Sequence, residues 1–593
     1  PQKYDGVPLA DGVTVHHRDD LDRIQRELRE VKGCTVLIYD QTCATEKRRR
    51  RKRGLLATPD KTVIINELVC EGCGDCSVKS NCLSVEPVET EFGRKRRINQ
   101  STCNKDYSCV NGFCPSFVTI EGGKLKKPKK EKKGDLSSLP PLPEPVLPVA
   151  EQAWGIVVGG VGGTGVITIG SLLGMAAHLD GKGVVTQDAG GLAQKGGATW
   201  SHIQIANRQE AIYTTKVDTA KADLVIGCDS IVAANKVTLA VMQPGRTFVA
   251  LNTHGTPTAS FVTNPNWQFP GGNCESAVTA AVGAELVGSF DAEQVAVQLL
   301  GDSIYTNPLL LGFAWQKGRV PLSHAALMRA MELNGVQIDN NKAAFEWGRR
   351  CAHDLAAVQS LFAAAQVIEF VKQPGLTEMV AEGVVFLTCY RDAPDAAQYR
   401  AFIDIVQAAE ARLGSSTRLA EAVARYLFKL MAYKDEYEVA RLHTDKAFTD
   451  KIAAMFEGDY RIVHHMAPPL MAKRNEKGEL VKQSFGPWLR RALGVLGGLK
   501  DLRGGALDLF GKTAERQMER ALIQEYRACI EELLGGLTPE RLALAVEIAR
   551  IPENIRGYGH VKERHLKAAR AQWDGLMVQW RGSPTAEPRR QAA

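Results

Sequence analysis

The middle of the chain alternates short apolar runs with amphipathic segments. Strands are predicted at 154–158, 183–186, 222–226 and 246–251, because each is an apolar run bounded by polar or glycine-rich residues. Segments with helical spacing lie between them at 166–179 and 230–242, and another follows the last strand at 341–351. The β-α-β order predicts an α/β layer domain with a mainly parallel sheet over 151–354.

The two ends of the chain show different patterns. From about residue 355 the apolar positions recur at helical spacing, clearest in 408–433, 514–534 and 539–550, so 355–593 is predicted to be nearly all helix. At the other end, an amphipathic segment at 20–32 precedes a predicted strand at 35–39. We expect residues 1–60 to be the end of an α/β domain that begins elsewhere.

These patterns divide the chain into five pieces. They are 1–60, a cysteine-rich piece at 61–123, a basic and proline-containing linker at 124–150, the α/β domain at 151–354 and the helical piece at 355–593. The predicted fold class is therefore multidomain α/β plus α.

Charge adds little to this division. The formal net charge is +7, from 74 basic and 67 acidic residues, and the excess is concentrated at 47–53 and 124–133. Such runs suit nucleic acid or an acidic protein, but the second leads into a polar, proline-containing stretch typical of a solvated linker. We expect no nucleic-acid partner.

No apolar stretch is long enough for a membrane span and residues 1–12 lack a signal-peptide pattern, so a cytoplasmic chain is expected.

Seven of the 14 cysteines fall within 70–114, which favours metal binding over disulfides. Cys70, Cys73 and Cys76 follow one another at x2 spacing, which curls the backbone so that three thiolates can reach three corners of a cubane. The fourth ligand of such a run commonly precedes a proline, and Cys114 is followed by Pro115. We assign one [4Fe–4S] cluster to Cys70, Cys73, Cys76 and Cys114.

Three further cysteines, Cys82, Cys103 and Cys109, are candidate ligands of a second cluster. Their spacings depart from the ferredoxin pattern and one thiolate is missing. A three-iron cluster, a four-iron cluster with another ligand, and three packed thiols all remain open. Zinc is the alternative for the whole set, although its sites usually use two separated Cys pairs.

A glycine-rich loop follows the first strand of the α/β domain. Gly160, Gly162 and Gly165, with Gly163 between them, open the next helix, and Asp188 ends the next strand, as in a dinucleotide fingerprint. Backbone N–H groups at such a turn before a helix can bind an anion, and the same turn also forms without a ligand. A second glycine-rich segment follows, and with its neighbours it contributes the candidate ligand-binding residues Gln194, Lys195, Gly196, Gly197, Ser201 and His202. His202 also suits a structural role, and His464 and His465 are not read as a metal site because adjacent side chains diverge.

At these motifs the chain resembles a known family. V-G-G-V-G-G-T-G-V (158–166) and D-A-G-G-L-A-Q-K-G-G-A-T-W-S-H (188–202) resemble the gamma domain of 2-oxoacid:ferredoxin oxidoreductases. The segments 39–54 and 70–76 are similar to the junction between the thiamine diphosphate and ferredoxin domains of indolepyruvate ferredoxin oxidoreductases. Segments 464–470 and 555–563 resemble the extra domain of the long fused bacterial form, whose carboxyl-terminal portion this chain looks like.

The resemblance implies oxidative decarboxylation of an aryl 2-oxoacid with coenzyme A to an acyl-CoA and CO2, with electrons passing through [4Fe–4S] clusters to ferredoxin or another acceptor. Thiamine diphosphate and Mg2+ are expected to bind outside this chain, because the G-D-G start of their motif is absent from it. The enzyme would be incomplete without that thiamine-binding part, and the family suggests a homodimer of complete units. The alternatives are a standalone iron–sulfur electron-transfer or scaffold protein with a nucleotide-binding domain, and a zinc protein that contacts nucleic acid.

Overall fold

The computed structural model describes residues 4–90, 93–126, 136, 139–190, 197–256, 258–363, 375–468, 472–474 and 478–582. The chain divides into two compact units, 1–58 and 59–593. Along the described residues, no helix combines the length and the apolar content that a membrane span requires.

The first unit contains two helices, α1 (Leu21–Glu30) and α2 (Ala44–Lys52). Helix α2 includes most of the first basic run, and Glu46 pairs with Arg49 and Arg50 one turn further along. The predicted strand at 35–39 is wrong: Val36 and Ile38 are 76% and 83% exposed and their backbone is extended without pairing. The described residues of this unit contain no other strand with which the segment could pair.

The second unit begins with the cysteine module, residues 59–126. Its strands are β1 (Lys61–Ile65), β2 (Val85–Thr90), β3 (Gly93–Ile98), β4 (Phe117–Glu121) and the short β5 (Lys124–Leu125), and its helix is α3 (Asp75–Ser80). Strands β1 and β4 pair antiparallel, with Lys61 opposite Glu121, and β2 and β3 form a hairpin.

The α/β domain contains a six-stranded sheet in the order β11-β10-β9-β6-β8-β7. Its strands are β6 (Trp154–Val161), β7 (Gly183–Gly190), β8 (Ala198–Ala206), β9 (Leu224–Gly227), β10 (Phe248–Asn252) and β11 (Val287–Phe290). Strands β6, β9, β10 and β11 pair in parallel, whereas β8 runs antiparallel to both β6 and β7. The sheet is thus mainly parallel as predicted, but it is interrupted by β8, which sequence analysis treated as a glycine-rich segment.

Helices cover this sheet. They are α4 (Val166–Leu179), α5 (Ser230–Ala233), α6 (Lys236–Val241), α7 (Ala259–Thr263), α8 (Gly271–Val282), α9 (Ala292–Leu300), α10 (Thr306–Gln316), α11 (His324–Asn334), α12 (Ile338–His353) and α13 (Leu355–Ala363). Helices α10 and α12 are in backbone contact: a methyl group on Gly348 would overlap the carbonyl oxygen of Leu309, and one on Gly312 that of Phe345. The small residues therefore allow α10 to lie fully buried between the sheet and α12.

The remainder of the chain is mostly helical, as predicted. Its helices are α14 (Leu376–Tyr390), α15 (Ala393–Ala411), α16 (Arg418–Met431), α17 (Glu436–Thr444), α18 (Lys446–Met455), α19 (Trp488–Gly498), α20 (Ala514–Gly535), α21 (Leu542–Ala549) and α22 (Gly559–Gly582). The continuous helix predicted at 408–433 is broken between α15 and α16. The Glu410 carboxylate accepts hydrogen bonds there from the amides of Leu419 and Ala420, at 3.0 and 2.8 Å, and so caps α16.

Three strands interrupt the helical region: β12 (Phe456–Glu457), β13 (Arg461–Met466) and β14 (Gln483–Phe485). Strand β13 pairs antiparallel with β4, with Arg461 opposite Glu121 and His464 opposite Val118, and β14 pairs with β13. The sheet β1-β4-β13-β14 therefore combines strands of the cysteine module with strands of the helical region.

Candidate functional site

The loop from Cys70 to Cys76 is shaped by two glycines in the left-handed region. Gly72 has φ = 64° and Gly74 has φ = 80°, and a methyl group on Gly72 would overlap the carbonyl oxygen of Arg94. The amide of Gly72 donates to the Cys70 sulfur at 3.4 Å. This conformation places Cys76 in the first turn of α3 and keeps the loop tight against β3.

Cys114 reaches the same loop through the segment before it. A methyl group on Gly112 would lie 2.8–2.9 Å from the Cys76 backbone and Cβ, and the amide of Phe113 donates to Asp75 Oδ2 at 2.8 Å. The Cys114 sulfur lies 3.0 Å from Ser116 Oγ. The 112–114 segment is therefore packed directly on the start of α3.

The four thiols form one buried group. Cys70, Cys73, Cys76 and Cys114 are only 4–9% exposed. Burial raises the pKa of Cys70, Cys73 and Cys76, and in each case the charge of Cys114 is the next contribution in the same direction. The four thiols are thus close enough to influence one another electrostatically, although in the described residues they are not arranged as a group that holds a metal ion.

The other three cysteines lie near one another and adjoin the first four, since Cys109 packs in the same apolar cluster as Cys70, Cys76 and Cys114. Burial raises the pKa of Cys109, followed by the charges of Cys82 and Cys103. Cys82 and Cys103 are half-buried, and the Cys103 sulfur accepts from the amide of Lys105 at 3.4 Å. Within the described ranges, no group of three or more His, Cys, Asp or Glu side chains is arranged to hold a metal ion.

Buried cations provide a test of whether these thiols suit an anionic iron–sulfur group. Arg96 is fully buried, and its Nε has no hydrogen-bond partner in the described structure. Its guanidinium donates to the carbonyl oxygens of Pro265 at 3.0 Å and Lys95 at 3.5 Å and lies 4.3 Å from the centre of the Phe261 ring. Burial lowers the pKa of Arg96, and the charges of Cys76, Cys70 and Cys73 oppose that shift. A buried cation requires a counter-charge. The donor set therefore fits a cluster held by thiolates, for which Arg96 would be a counterion.

The first glycine loop forms a tight strand-to-helix turn. Gly163 and Gly165 have φ of 84° and 102°, and α4 begins immediately afterwards. The amide of Gly162 donates to the Gly197 carbonyl at 2.9 Å, and Gly160 packs closely against Cys228. Gln194, Lys195 and Gly196 lie outside the described residues.

The arrangement does not match a dinucleotide site. In that fingerprint the acidic residue ends the strand beside the glycine loop, but β8 lies between β6 and β7 here. Asp188 accepts a hydrogen bond from Ser201 Oγ at 2.6 Å, so both side chains already have a partner.

Ser201 and His202 also face opposite sides of β8, because side chains alternate along a strand. Ser201 packs against Gly170 of α4. His202 has no partner at Nδ1 within the described structure, and burial followed by the charge of Lys216 lowers its pKa. Among the described candidate residues, Ser201 and His202 therefore do not line one pocket: Ser201 has a structural contact, and the surroundings of His202 disfavour its protonated form.

Sequence analysis missed the contributions of the helical region to the cysteine site. Lys434 pairs with Glu71 at 2.6 Å, Tyr558 Oη donates to the Val69 carbonyl at 2.6 Å, and Lys482 contacts the segment before Cys114. They are remote from the cysteines in the chain, and although Tyr558 lies in the 555–563 segment, nothing in that segment indicates a contact with the cysteine module. The side chains of His464 and His465 diverge, as expected for adjacent residues in a strand. His465 contacts Thr119 and Ser484, whereas the ring of His464 contacts His443.

Comparison with known proteins gives matches to two separate regions. The family described as pyruvate ferredoxin/flavodoxin oxidoreductase matches residues 155–351, and a family of unknown function, DUF6537, matches residues 376–575. Indolepyruvate oxidoreductase subunit IorB of Thermococcus kodakarensis is 26% identical over 210 residues, which are 34% of this chain and 98% of the relative. The protein of the same name from Methanothermobacter thermautotrophicus is 28% identical over 197 residues, covering 33% and 95%.

Two solved structures are also similar. Pyruvate oxidoreductase subunit PORC of Thermotoga maritima has 19% identity and a TM-score of 0.25, covering 34% of this chain and 96% of that one. The keto/oxoacid ferredoxin oxidoreductase gamma subunit of Geobacter sulfurreducens has 20% identity and a TM-score of 0.24, covering 34% and 98%. Residues 155–351 thus match the pyruvate ferredoxin/flavodoxin oxidoreductase family, and about a third of this chain is similar to nearly the whole length of indolepyruvate oxidoreductase subunit IorB.

Proposed function

We propose that this chain is the electron-transfer and gamma-type part of an aryl 2-oxoacid (indolepyruvate):ferredoxin oxidoreductase, with a [4Fe–4S] cluster at Cys70, Cys73, Cys76 and Cys114. The observation that supports this most strongly is the convergence of four buried thiols in the same compact unit as the gamma-type region. Neither feature alone indicates this function, since thiol clusters and α/β domains each occur in many proteins.

The cysteine module lies against the carboxyl edge of the α/β sheet. Arg94 Nη1 donates to the Trp267 carbonyl at 2.6 Å, and Asn99 Nδ2 lies 3.5 Å from Glu293 Oε1, just after β11. Ligands of open α/β sheets bind outside the carboxyl ends of the strands. These contacts support a direct path for electrons between the gamma-type portion and the thiols.

The surroundings of the thiols suit such a role. When bound, a [4Fe–4S] cluster accepts and releases single electrons at a potential set by hydrogen bonds to sulfur, charge and exposure. The Gly72 amide donates to the Cys70 sulfur, Ser116 lies beside Cys114, and all four cysteines are buried. Cys82, Cys103 and Cys109 would hold a second cluster or remain structural.

The rest of the enzyme would lie beyond this chain. Thiamine diphosphate and Mg2+ would bind in a separate part of the enzyme, where an aryl 2-oxoacid is decarboxylated and its acyl group passes to coenzyme A. The gamma-type portion would contribute to coenzyme A handling or to closure of that site. The electrons released would reach ferredoxin, and the complete unit would assemble as a dimer.

Iron and acid-labile sulfide per chain, with electron paramagnetic resonance after reduction, test the cluster assignment on anaerobically purified protein. We expect about four irons for one cluster and seven or eight for two. Cys76→Ala should abolish the signal of the first cluster, because it removes one of its four thiolates. Cys351→Ala is the matched control, since Cys351 is an equally buried cysteine in α12. Zinc without iron would refute the proposal.

The substrate assignment requires the complete enzyme. Reduction of ferredoxin by the full assembly should depend on coenzyme A and should be faster with indolepyruvate than with pyruvate. Clusters without dependence on any 2-oxoacid would favour the standalone electron-transfer protein instead.

A further inference from the structure

Lys482 extends from the helical region into the cysteine module. It directly precedes β14 and lies within the segment that matches the family of unknown function. Its ammonium donates to the carbonyl oxygens of Val110 and Gly112, at 3.0 and 2.6 Å, and lies 4.8 Å from the centre of the Phe117 ring.

These contacts place the ammonium between the two groups of cysteines. Val110 directly follows Cys109, and Gly112 packs on Cys76 two residues before Cys114. The 110–112 segment is therefore one of the chain segments that connect the two groups, and Lys482 hydrogen-bonds to its backbone.

Lys482 has no carboxylate partner at ion-pair distance among the residues that the structure describes. Two other lysines of the helical region that reach the module do have one: Lys434 pairs with Glu71 and Lys451 pairs with Glu67. Burial lowers the pKa of Lys482, and the charges of Cys114, Cys76 and Cys109 oppose that shift, with Asp75 contributing less. Lys482 is half-buried, and a partly desolvated cation without a carboxylate partner is stabilised by other negative charge nearby. A cluster held by the thiols would supply that charge.

We infer that Lys482 is a positioning residue whose charge stabilises the reduced form of the cluster held by Cys70, Cys73, Cys76 and Cys114, so that the helical region sets the reduction potential of the cysteine module. This inference depends on the proposed function. Reduction adds one negative charge to the cluster, and a buried cation nearby favours the reduced form more strongly than an exposed one does. The carbonyl contacts hold the ammonium in place, because both acceptors belong to the segment that leads to Cys114.

The test is a redox titration of the full chain followed by electron paramagnetic resonance, with iron determined in the same samples. Lys482→Gln keeps a hydrogen-bond donor for the two carbonyls but removes the charge. We expect it to shift the ratio of reduced to oxidised cluster at a fixed potential at least tenfold towards the oxidised form, a lowering of about 59 mV for a one-electron couple. Lys482→Arg, which keeps the charge, should stay within about threefold of the unmodified protein.

Lys446→Gln is the matched control, because Lys446 lies in the same region but is 86% exposed and pairs with Asp450. Its potential should not change. An unchanged potential in an iron-loaded Lys482→Gln protein would overturn the inference while leaving the proposed function intact. If Lys482→Gln fails to retain iron, retention in Lys482→Arg supports the counter-charge and loss in both variants refutes it. Absence of iron from the unmodified protein would refute the proposed function, and this inference with it.

Discussion

The close contact between Gly112 and the backbone of Cys76 gives a sharp prediction. In Gly112→Ala the new methyl group would lie 2.8–2.9 Å from the backbone and Cβ of Cys76, well inside van der Waals distance. Neither side can move freely, since Cys76 is in the first turn of α3 and Phe113 is hydrogen-bonded to Asp75. Overpacking of this kind costs about 1–3 kcal/mol. We expect the variant to unfold at lower denaturant concentration and to release iron to a chelator faster than the unmodified protein.

The control for this substitution is Gly494→Ala in α19. A methyl group there has no atom within 4 Å, and alanine is favoured over glycine in a helix by about 1 kcal/mol. The same chemical change should therefore leave iron release unchanged and leave stability equal or slightly higher. If Gly112→Ala retained both the stability and the iron of the unmodified protein, the packing of the 112–114 segment on Cys76 would be wrong.

Two further predictions concern charged groups. Arg503 forms a bidentate ion pair with Asp435, and both side chains are only 3% exposed. Arg503→Met should therefore lower the free energy of unfolding by about 3–5 kcal/mol in denaturant titrations. Loss of the exposed Arg581, which pairs with Glu532, should lower it by less than about 1 kcal/mol. The second concerns His254. Burial alone would lower the pKa of its imidazole, but the hydrogen bond to Asp291 and the charges of nearby carboxylates raise that pKa to about 9. The stability that it contributes should be complete below pH 6.5 and lost as pH rises through about 9, and His254→Gln should flatten the pH dependence of unfolding over that range.

Local signals in the sequence predicted most of the elements. The spacing of Cys70, Cys73 and Cys76 and the Cys114-Pro115 pair predicted four thiols that the structure does bring together. Helical periodicity predicted the region after residue 355, except where Glu410 caps a new helix instead of continuing the old one. Such features depend on neighbours in the chain, and this is why they can be read from one sequence.

Contacts between distant segments could not be predicted in the same way. Strand β8 was missed because glycines precede it and because its partners, β6 and β7, run opposite to it. Strand β13 was missed because it is a short strand among helices and is stabilised by pairing with β4, some 340 residues earlier in the chain. The isolated strand predicted at 35–39 shows the converse: apolar residues with β propensity do not form a strand where no partner is available.

The pairing of β4 with β13 also changes how the cysteine module should be regarded. Without β13 and β14, strand β4 would expose an open edge, and such edges pair with other chains. The helical region also supplies Lys434, Lys482 and Tyr558, which hydrogen-bond to backbone carbonyls at Val69, Cys70, Val110 and Gly112. Small domains bury too little surface to be stable without such additions. The region that matches a family of unknown function therefore completes the fold of the cysteine module, since it supplies half of the sheet and half-buried lysines beside the thiols.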